Sequence, residues 1–312
     1  MYKRIDHSSI KTYSLFKRES KVNIRDFSKW VDDIKNINNF IDTIPNILAG
    51  NDIREVARSI VRAKKNRRKV LIAMGAHVIK VGLSPIIISF MRDGIIDGIA
   101  LNGAGIIHDT EIAMVGHTSE DVAKEIKEGT FGMVKETTEF LIDSVKKHRD
   151  LGLGEAVSKA LSESEFPYKN ISILSSAYDY KIPVTVHLSI GTDIIHMHPE
   201  FDGAVFGEAT YRDFLVFSNL VSLLEEGVYL NIGSSVILPE VFLKALSMVR
   251  NLGFGVKNIT TVNMDFKEHY RPLTNVVRRP TLEGGKGYNL IGHHEIMIPL
   301  LNLFVRNFFK ED

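Results

Sequence analysis

The sequence contains no cysteine. That excludes disulfides, thiolate metal sites and a cysteine nucleophile together, and it suits a reducing cytoplasm. Charge of either sign is not in excess. Against 39 lysines and arginines stand 38 aspartates and glutamates, a net charge of +1, too little for a basic face that grips nucleic acid. No long apolar run is present: the stretch 85–91 is cut off by Arg92-Asp93 well short of membrane-spanning length. The polar opening, residues 1–7, has no apolar leader core. The expectation is a soluble cytoplasmic protein with neither nucleic acid nor membrane as partner. Signature motifs are missing too. There is no G-x-S-x-G elbow of a serine hydrolase, and His108 has no second histidine one helical turn on, as zinc proteases require. A complete G-x-G-x-x-G dinucleotide fingerprint is absent. Gly284-Gly285-Lys286-Gly287 lacks the spacing and the following Ser/Thr of a phosphate loop, and reads as a surface turn that leaves Lys286 within reach of a neighbouring site.

What is present is a regular alternation. With 312 residues, 44% of them hydrophobic, the chain can bury a large core. Residues 1–48 read as an N-terminal extension with one helix over about 26–41. Residues 49–312 read as one domain. A helix capped by Asp52, with Glu55 at its third position, precedes a strand at 69–74. A helix through Met91 follows, restarted or kinked at Ser84-Pro85. Further strands are expected at 97–101, 183–188, 228–232 and 258–264. Helices are expected after Gly105, almost continuously over 118–165, at 168–180 and 207–224, and from about 236 to 252. An irregular arm, 267–292, leads to a C-terminal helix. Five short apolar strands separated by helices predict a doubly wound, mainly parallel, Rossmann-like α/β sheet covered on both faces.

In such sheets ligands bind beyond the carboxyl ends of the strands. The turns expected there are rich in small and polar residues: Gly75-Ala76-His77, Asn102-Gly103-Ala104-Gly105, Gly191-Thr192-Asp193, Gly233-Ser234-Ser235 and Asn263-Met264-Asp265. Small residues admit a ligand close to the backbone, and a helix N-terminus behind the turn favours negative charge. The first four of these turns, with Glu111, are the expected cofactor contacts. His108 and Asp109, directly after the Gly103 turn, are the expected reacting groups, with Lys286 a third candidate. His77, His108, His187 and His196 all fall at or near strand ends. Two alternatives stay open: a metal held by Asp193, His196 and His198, serving a metal-assisted hydrolase, and a non-catalytic nucleotide-binding module. His293-His294-Glu295 caps a helix or meets a ligand. Arg271, Arg278 and Arg279 bring three cations into one arm, suited to carboxylate or phosphate or to plain surface charge.

In element order the chain resembles the deoxyhypusine synthase family over about residues 46–305. The likeness rests on the helix 52–64, the run from Gly82-Leu83 to Asp97, the Gly103-Ala104-Gly105 turn and Ala177-Tyr178 through Ile182-Pro183-Val184. It continues in Leu188-Ser189-x-Gly191-Thr192, Asn231-Ile232-Gly233 and Ile298-Pro299-Leu300-Leu301. The family's Thr-Asp-Gly-Ser stretch matches Ser189-Ile190-Gly191-Thr192, so Ile190 replaces its aspartate, with Asp193 close by. Its substrate-site histidine falls near Pro239-Glu240. Its Trp-Gly-Lys motif lines up with Arg278-Arg279-Pro280, which removes the imine-forming lysine; Lys286 is the nearest one. The resemblance implies NAD as cofactor, a small amine or polyamine-like substrate, oxidation or aminoalkyl transfer, and a homotetramer with sites between subunits. The expectation is a divergent enzyme of transferase or oxidoreductase type.

Overall fold

Runs of β-branched and aliphatic residues, too short for helices and buried from end to end, set the frame. In the computed structural model, which describes residues 9, 11, 24–29 and 37–311, the chain divides into two units, residues 1–51 and 52–312. In the first, the described residues hold a 3-10 turn at Ile24–Asp26 and helix α1 (Ile37–Asp42). The rest of the helix expected over 26–41 lies mostly outside the described residues.

Then follow α2 (Leu48–Lys65), β1 (Val70–Met74), α3 (His77–Lys80), α4 (Ser84–Arg92), β2 (Gly98–Asn102) and α5 (Gly103–Val115). Next come α6 (Val122–Glu128), α7 (Lys135–Lys147), α8 (Leu153–Glu163), α9 (Ile173–Asp179), β3 (Val184–His187), α10 (Gly203–Ser222), β4 (Val228–Ile232) and α11 (Ile237–Asn251). The chain continues through β5 (Thr260–Asp265), the short α12 (Tyr270–Pro272), β6 (Lys286–Ile291) and α13 (His294–Glu311). Among the described residues six strands, all parallel, stand in the order β3-β2-β1-β4-β5-β6. This is the doubly wound Rossmann-like arrangement.

Helices cover both faces. On one, Leu71, Ala73 and Tyr229 pack with Phe217 of α10 and with Phe242 and Leu246 of α11. There Tyr229 stacks on Phe242 at 3.7 Å between ring centroids. On the other, Ile72 and Leu230 meet Ile60 of α2, Ile87 and Phe90 of α4, and Ile298 of α13 around a small void. Each such aliphatic or aromatic side chain contributes roughly 1.5–3 kcal/mol by leaving water.

Several expectations change. The sixth strand, β6, lies inside the arm read as irregular. It is an edge strand, with Lys286, Gly287 and Ile291 exposed, so it shows no apolar run, and its parallel partner β5 supplies its register. Before it the chain forms a π-helical turn at Leu273–Arg278 and a 3-10 turn at Arg279–Thr281. The first long helix starts at Leu48, which places Asp52 and Glu55 inside it rather than at its cap. The near-continuous helix over 118–165 is three helices; Gly129 and Gly132, with φ of 70° and 77°, values outside helical backbone, part the first two. α3 and α4 are likewise parted around Gly82, at φ 80°.

The outer edge of β3 needs partners for its backbone, and side chains of α10 supply them. Asp213 accepts from Val186 N at 2.7 Å and Gly154 N at 2.8 Å, and Thr210 accepts from Leu188 N at 3.0 Å and donates to the Val186 carbonyl at 2.7 Å. This blunts an edge that would otherwise template further strands. Burial, helped by nearby Glu155 and opposed by the two N–H bonds, pushes the Asp213 carboxyl up to about 8. A carboxyl raised above its unfolded value of 3.8 must take up a proton on folding, so its contribution is complete in acid and is lost as pH rises through the folded value. Asp213→Asn, which keeps the acceptor but cannot ionise, should therefore gain stability relative to wild type from pH 4 upward, levelling off above about pH 8. Urea denaturation across that range tests this, and a pH-independent difference would contradict it.

Candidate functional site

Because all six strands run the same way, the turns that follow them open at one edge. Strand order reverses between β1 and β4, the position where such sheets leave a crevice. Gly75 and Gly233, the first residues beyond these strands, touch. A Cβ on Gly75 would lie 2.2 Å from the Gly233 carbonyl oxygen, and one on Gly233 would lie 2.8 Å from His294 Cε1. Gly233 also takes φ 65°, which glycine adopts without strain. Beside the pair stands a group of rings: His77 to Phe266 at 5.8 Å, His77 to His294 at 5.5 Å, and Phe266 stacked on His293 at 6.2 Å. His77, Phe266 and His293 are exposed, whereas His294 is buried.

His294 Nε2 lies 3.3 Å from the Met264 carbonyl and its Nδ1 has no partner. A carbonyl only accepts, so Nε2 carries the proton. Burial lowers the pKa of His294 and neighbouring His77 adds to this, against the opposing pull of the Met264 carbonyl and Asp265. The ring is a neutral imidazole with its free lone pair at Nδ1. Ala76 is buried and Ser235 half-buried. Ser234 serves the fold: its hydroxyl accepts from Leu238 N at 3.2 Å and its carbonyl from Asn231 at 2.9 Å.

A second crevice lies between the ends of β2 and β3. Asn102 caps α5, accepting from Gly105 N at 3.1 Å. The Asp193 carboxylate sits on the first turn of α5: it accepts from the Ala104 N–H, and a Cβ on Gly103 would lie 2.2 Å from its Oδ2. The positive end of the helix is thus met by the chain's own anion. The close approach that Gly103 allows is used by Asp193, not by a cofactor as the sequence suggested. Burial raises the pKa of Asp193, against His196, the Thr192 hydroxyl and Ala104 N. Gly191 and Thr192 form an exposed turn ahead of it, in which Thr192 donates to the Ser189 carbonyl at 2.7 Å.

Behind Asp193 opens a cavity of about 200 Å³, lined by Lys80, His108, Glu111, Glu120 and Asp193 among others. His108 Nδ1 lies 2.6 Å from the Thr118 hydroxyl, which donates to Glu111. The His108 and Glu111 side chains stand 3.6 Å apart. A hydroxyl has one proton, and a carboxylate only accepts. Thr118 therefore gives its proton to Glu111 and receives one from His108, which fixes the imidazole with Nδ1 protonated and Nε2 as the basic nitrogen. Burial works to raise the Glu111 pKa, but the bonds from His108 and Thr118 outweigh it and hold the carboxylate below its ordinary range.

Other expected residues stand elsewhere. Asp109 is fully buried and anchors the start of α9, accepting from the Ser172 hydroxyl at 2.6 Å and from Ile173 N and Leu174 N at 2.9 Å each. It is placed to hold the fold, one residue away from a side chain that faces the cavity. Lys286 opens β6 opposite Thr260, at the amino end of the sheet and away from every turn described above. Asp193, His196 and His198 do not converge. His196 Nδ1 accepts from Gly191 N and Asp193 N at 3.2 Å each, and His198 Nδ1 accepts from Glu200 N at 3.4 Å. Among the described residues no three histidines or carboxylates are grouped to hold a metal. His187 is buried beside Thr185 and Phe217, and burial lowers its pKa to about 3. In the arm, Arg271 pairs with Glu240 at 3.5 Å and Arg279 with Asn275 at 2.8 Å.

Sequence reading missed Lys80, Thr118, Glu120 and Phe266. It also missed a ladder on adjacent strands, Asn231 to Asn263 at 2.9 Å, Asn263 to Asn289 at 2.8 Å and Asn289 to Glu268 at 2.8 Å. Phe266 had a signal, since it directly follows the expected strand end at Met264-Asp265.

No protein-family model matches the chain, and no curated protein does. Solved structures share its fold. A structure of AgrE in ternary complex with ornithine and NAD+ superposes with a TM-score of 0.54 at 15% identity, over 83% of this chain and 33% of that one. A putative LOR/SDH protein from Methanococcus maripaludis S2 gives 0.50 at 16%, over 82% and 69%. The chain thus spans about one third of the length of AgrE. At these identities the likeness establishes the Rossmann-like fold. A putative deoxyhypusine synthase from Entamoeba histolytica reaches only 0.49 at 9% identity, over 88% of this chain and 95% of that one, so membership of that family is not established.

No helix among the described residues is long and apolar enough to cross a bilayer. Thr118→Val should uncouple His108 from Glu111 and cost about 2 kcal/mol, the scale of a hydrogen bond to a charged group. Because the Glu111 pKa is depressed, that contribution is present above the ordinary carboxylate range and lost as pH falls through the folded value. Denaturation of wild type and variant at neutral and acid pH checks both, and a difference that persists undiminished in acid would break the assignment.

Proposed function

We propose that this protein is an NAD-binding enzyme that oxidises a small amine, with the dinucleotide across the β1–β4 crevice and the amine in the cavity of His108 and Glu111. The observation that carries the reading is the His108–Thr118–Glu111 chain at a cavity on the carboxyl edge of a doubly wound sheet. The residues at the crevice suit a dinucleotide. Gly75 and Gly233 let the two strand ends and the His294 ring close up at the base of the crevice, and the exposed rings of His77 and Phe266 offer flat faces for stacking. AgrE, which shares the fold, binds NAD+ and ornithine, and this supports the choice of cofactor and substrate class.

NAD supplies the hydride acceptor. The chain supplies the rest. Glu111, Glu120 and Asp193 outnumber Lys80 in the cavity wall, so the cavity attracts a cation. A substrate ammonium must lose a proton before its carbon can yield hydride, and His108 Nε2 is the nitrogen free to take it. Glu111, reached through Thr118, then stabilises the imidazolium. Aminoalkyl transfer through a lysine imine needs a lysine at the cavity, and there the wall holds Lys80 rather than Lys286. On the same reading the working form is a homo-oligomer.

Calorimetric titration should show NAD binding to the wild type, and Phe266→Ala should weaken it about tenfold, the scale of one ring stacked on a base, without altering the melting temperature. His108→Ala should leave NAD affinity unchanged and lower amine turnover by about 10²–10⁴. A wild type that binds no nicotinamide nucleotide ends the proposal. Binding without turnover of any amine makes the protein a nucleotide-binding module instead.

A further inference from the structure

We propose that a second cavity, at the amino end of β3, binds a free α-amino acid with an apolar side chain. The cavity measures about 430 Å³, within the range of small-molecule sites, and lies at the end of the sheet opposite the turns after β1 and β4. Its wall is apolar, formed by residues such as Ile182, Val184 and Val216. A buried polar group is built into that wall with its bonding capacity unused. Ser158 is 3% exposed and its hydroxyl has no partner. Asp213, 1% exposed, also borders the cavity, its Oδ2 held by Gly154 N and Val186 N. A buried hydroxyl left without a partner calls for a ligand or an ordered molecule to complete it.

The rim selects the ligand. It carries one anion and one cation, the exposed side chains of Glu155 and Lys181. An amine alone would leave Lys181 unmet, and a carboxylate alone would leave Glu155 unmet. A zwitterion satisfies both while its side chain fills the apolar wall. The charge pair and the wall together describe the two ends of an amino acid such as leucine.

Three probes test this: leucine, isoamylamine (leucine without its carboxylate) and 4-methylpentanoate (leucine without its ammonium), each titrated into the full chain by calorimetry. Leucine should bind at least about tenfold more tightly than either half. Glu155→Gln should reduce leucine to the level of 4-methylpentanoate, and Lys181→Met to that of isoamylamine. Both positions are exposed, so both variants should fold. Val216→Trp, which fills the cavity from its open side, should abolish binding of all three. The proposal falls if leucine shows no saturable binding at millimolar concentration, if isoamylamine or 4-methylpentanoate binds as tightly as leucine, or if neither rim variant weakens it.

Discussion

The parallel pairing of β1 with β4 is the constraint on which the rest of the structure depends. Residues more than 150 positions apart run in register from Val70↔Val228 to Met74↔Ile232, and beyond them Gly75 lies directly against Gly233. Two halves wound outward from this seam send the turns that follow their strands to one edge, since every pairing in the sheet is parallel. The seam also calls back the C-terminal helix. α13 begins with His294, which lies against Gly233 and reaches the carbonyl of Met264 at the end of β5. A side chain at position 75 would part the strand ends and scatter the crevice with them.

Around this frame, carboxylates do much of the work of finishing backbone that the regular elements leave bare. Asp213 closes the free edge of β3, Asp109 anchors α9, Asp193 meets the start of α5, and Asp97 accepts from Val70 N at 2.9 Å while pairing with Lys64 at 2.6 Å and Lys69 at 3.2 Å. Burying an ionised carboxylate is costly, and multiple N–H donors offset the cost only in part. That is why the pKa values of Asp109, Asp193 and Asp213 all move upward under burial. Glu111 differs in kind. Its partners include the side chains of Thr118 and His108, and its pKa moves down. A carboxylate kept charged and linked to an imidazole through a hydroxyl sets this group apart from its acidic neighbours.

Much of the fold was legible because its signals are local. Apolar runs bounded by turn residues marked β1 to β5, and small residues after them marked the edge where ligands meet such a sheet. β6 escaped because an exposed edge strand, Lys286–Ile291, needs no apolar face. The breaks at Gly129 and Gly132 escaped because a glycine in sequence does not declare the sign of its φ. At the site, His108 and Glu111 were legible one helical turn apart, but Thr118, which joins them, lies past the end of their helix. Asp109 misled for the opposite reason. Its place beside His108 in sequence turns it to another face of α5.

The sequence by itself determined the class of architecture, the positions of its principal strands and the turns at their carboxyl ends, because strand period, burial and turn chemistry are properties of short segments. Tertiary structure alone decided which turns face a cavity, which carboxylates brace backbone, and that Lys286 stands at the wrong end of the sheet. Those outcomes depend on strand order and on pairings between residues such as Asp193 with Ala104, or Asp213 with Val186. They exist only once the register across the sheet has brought distant segments into hydrogen-bonding range.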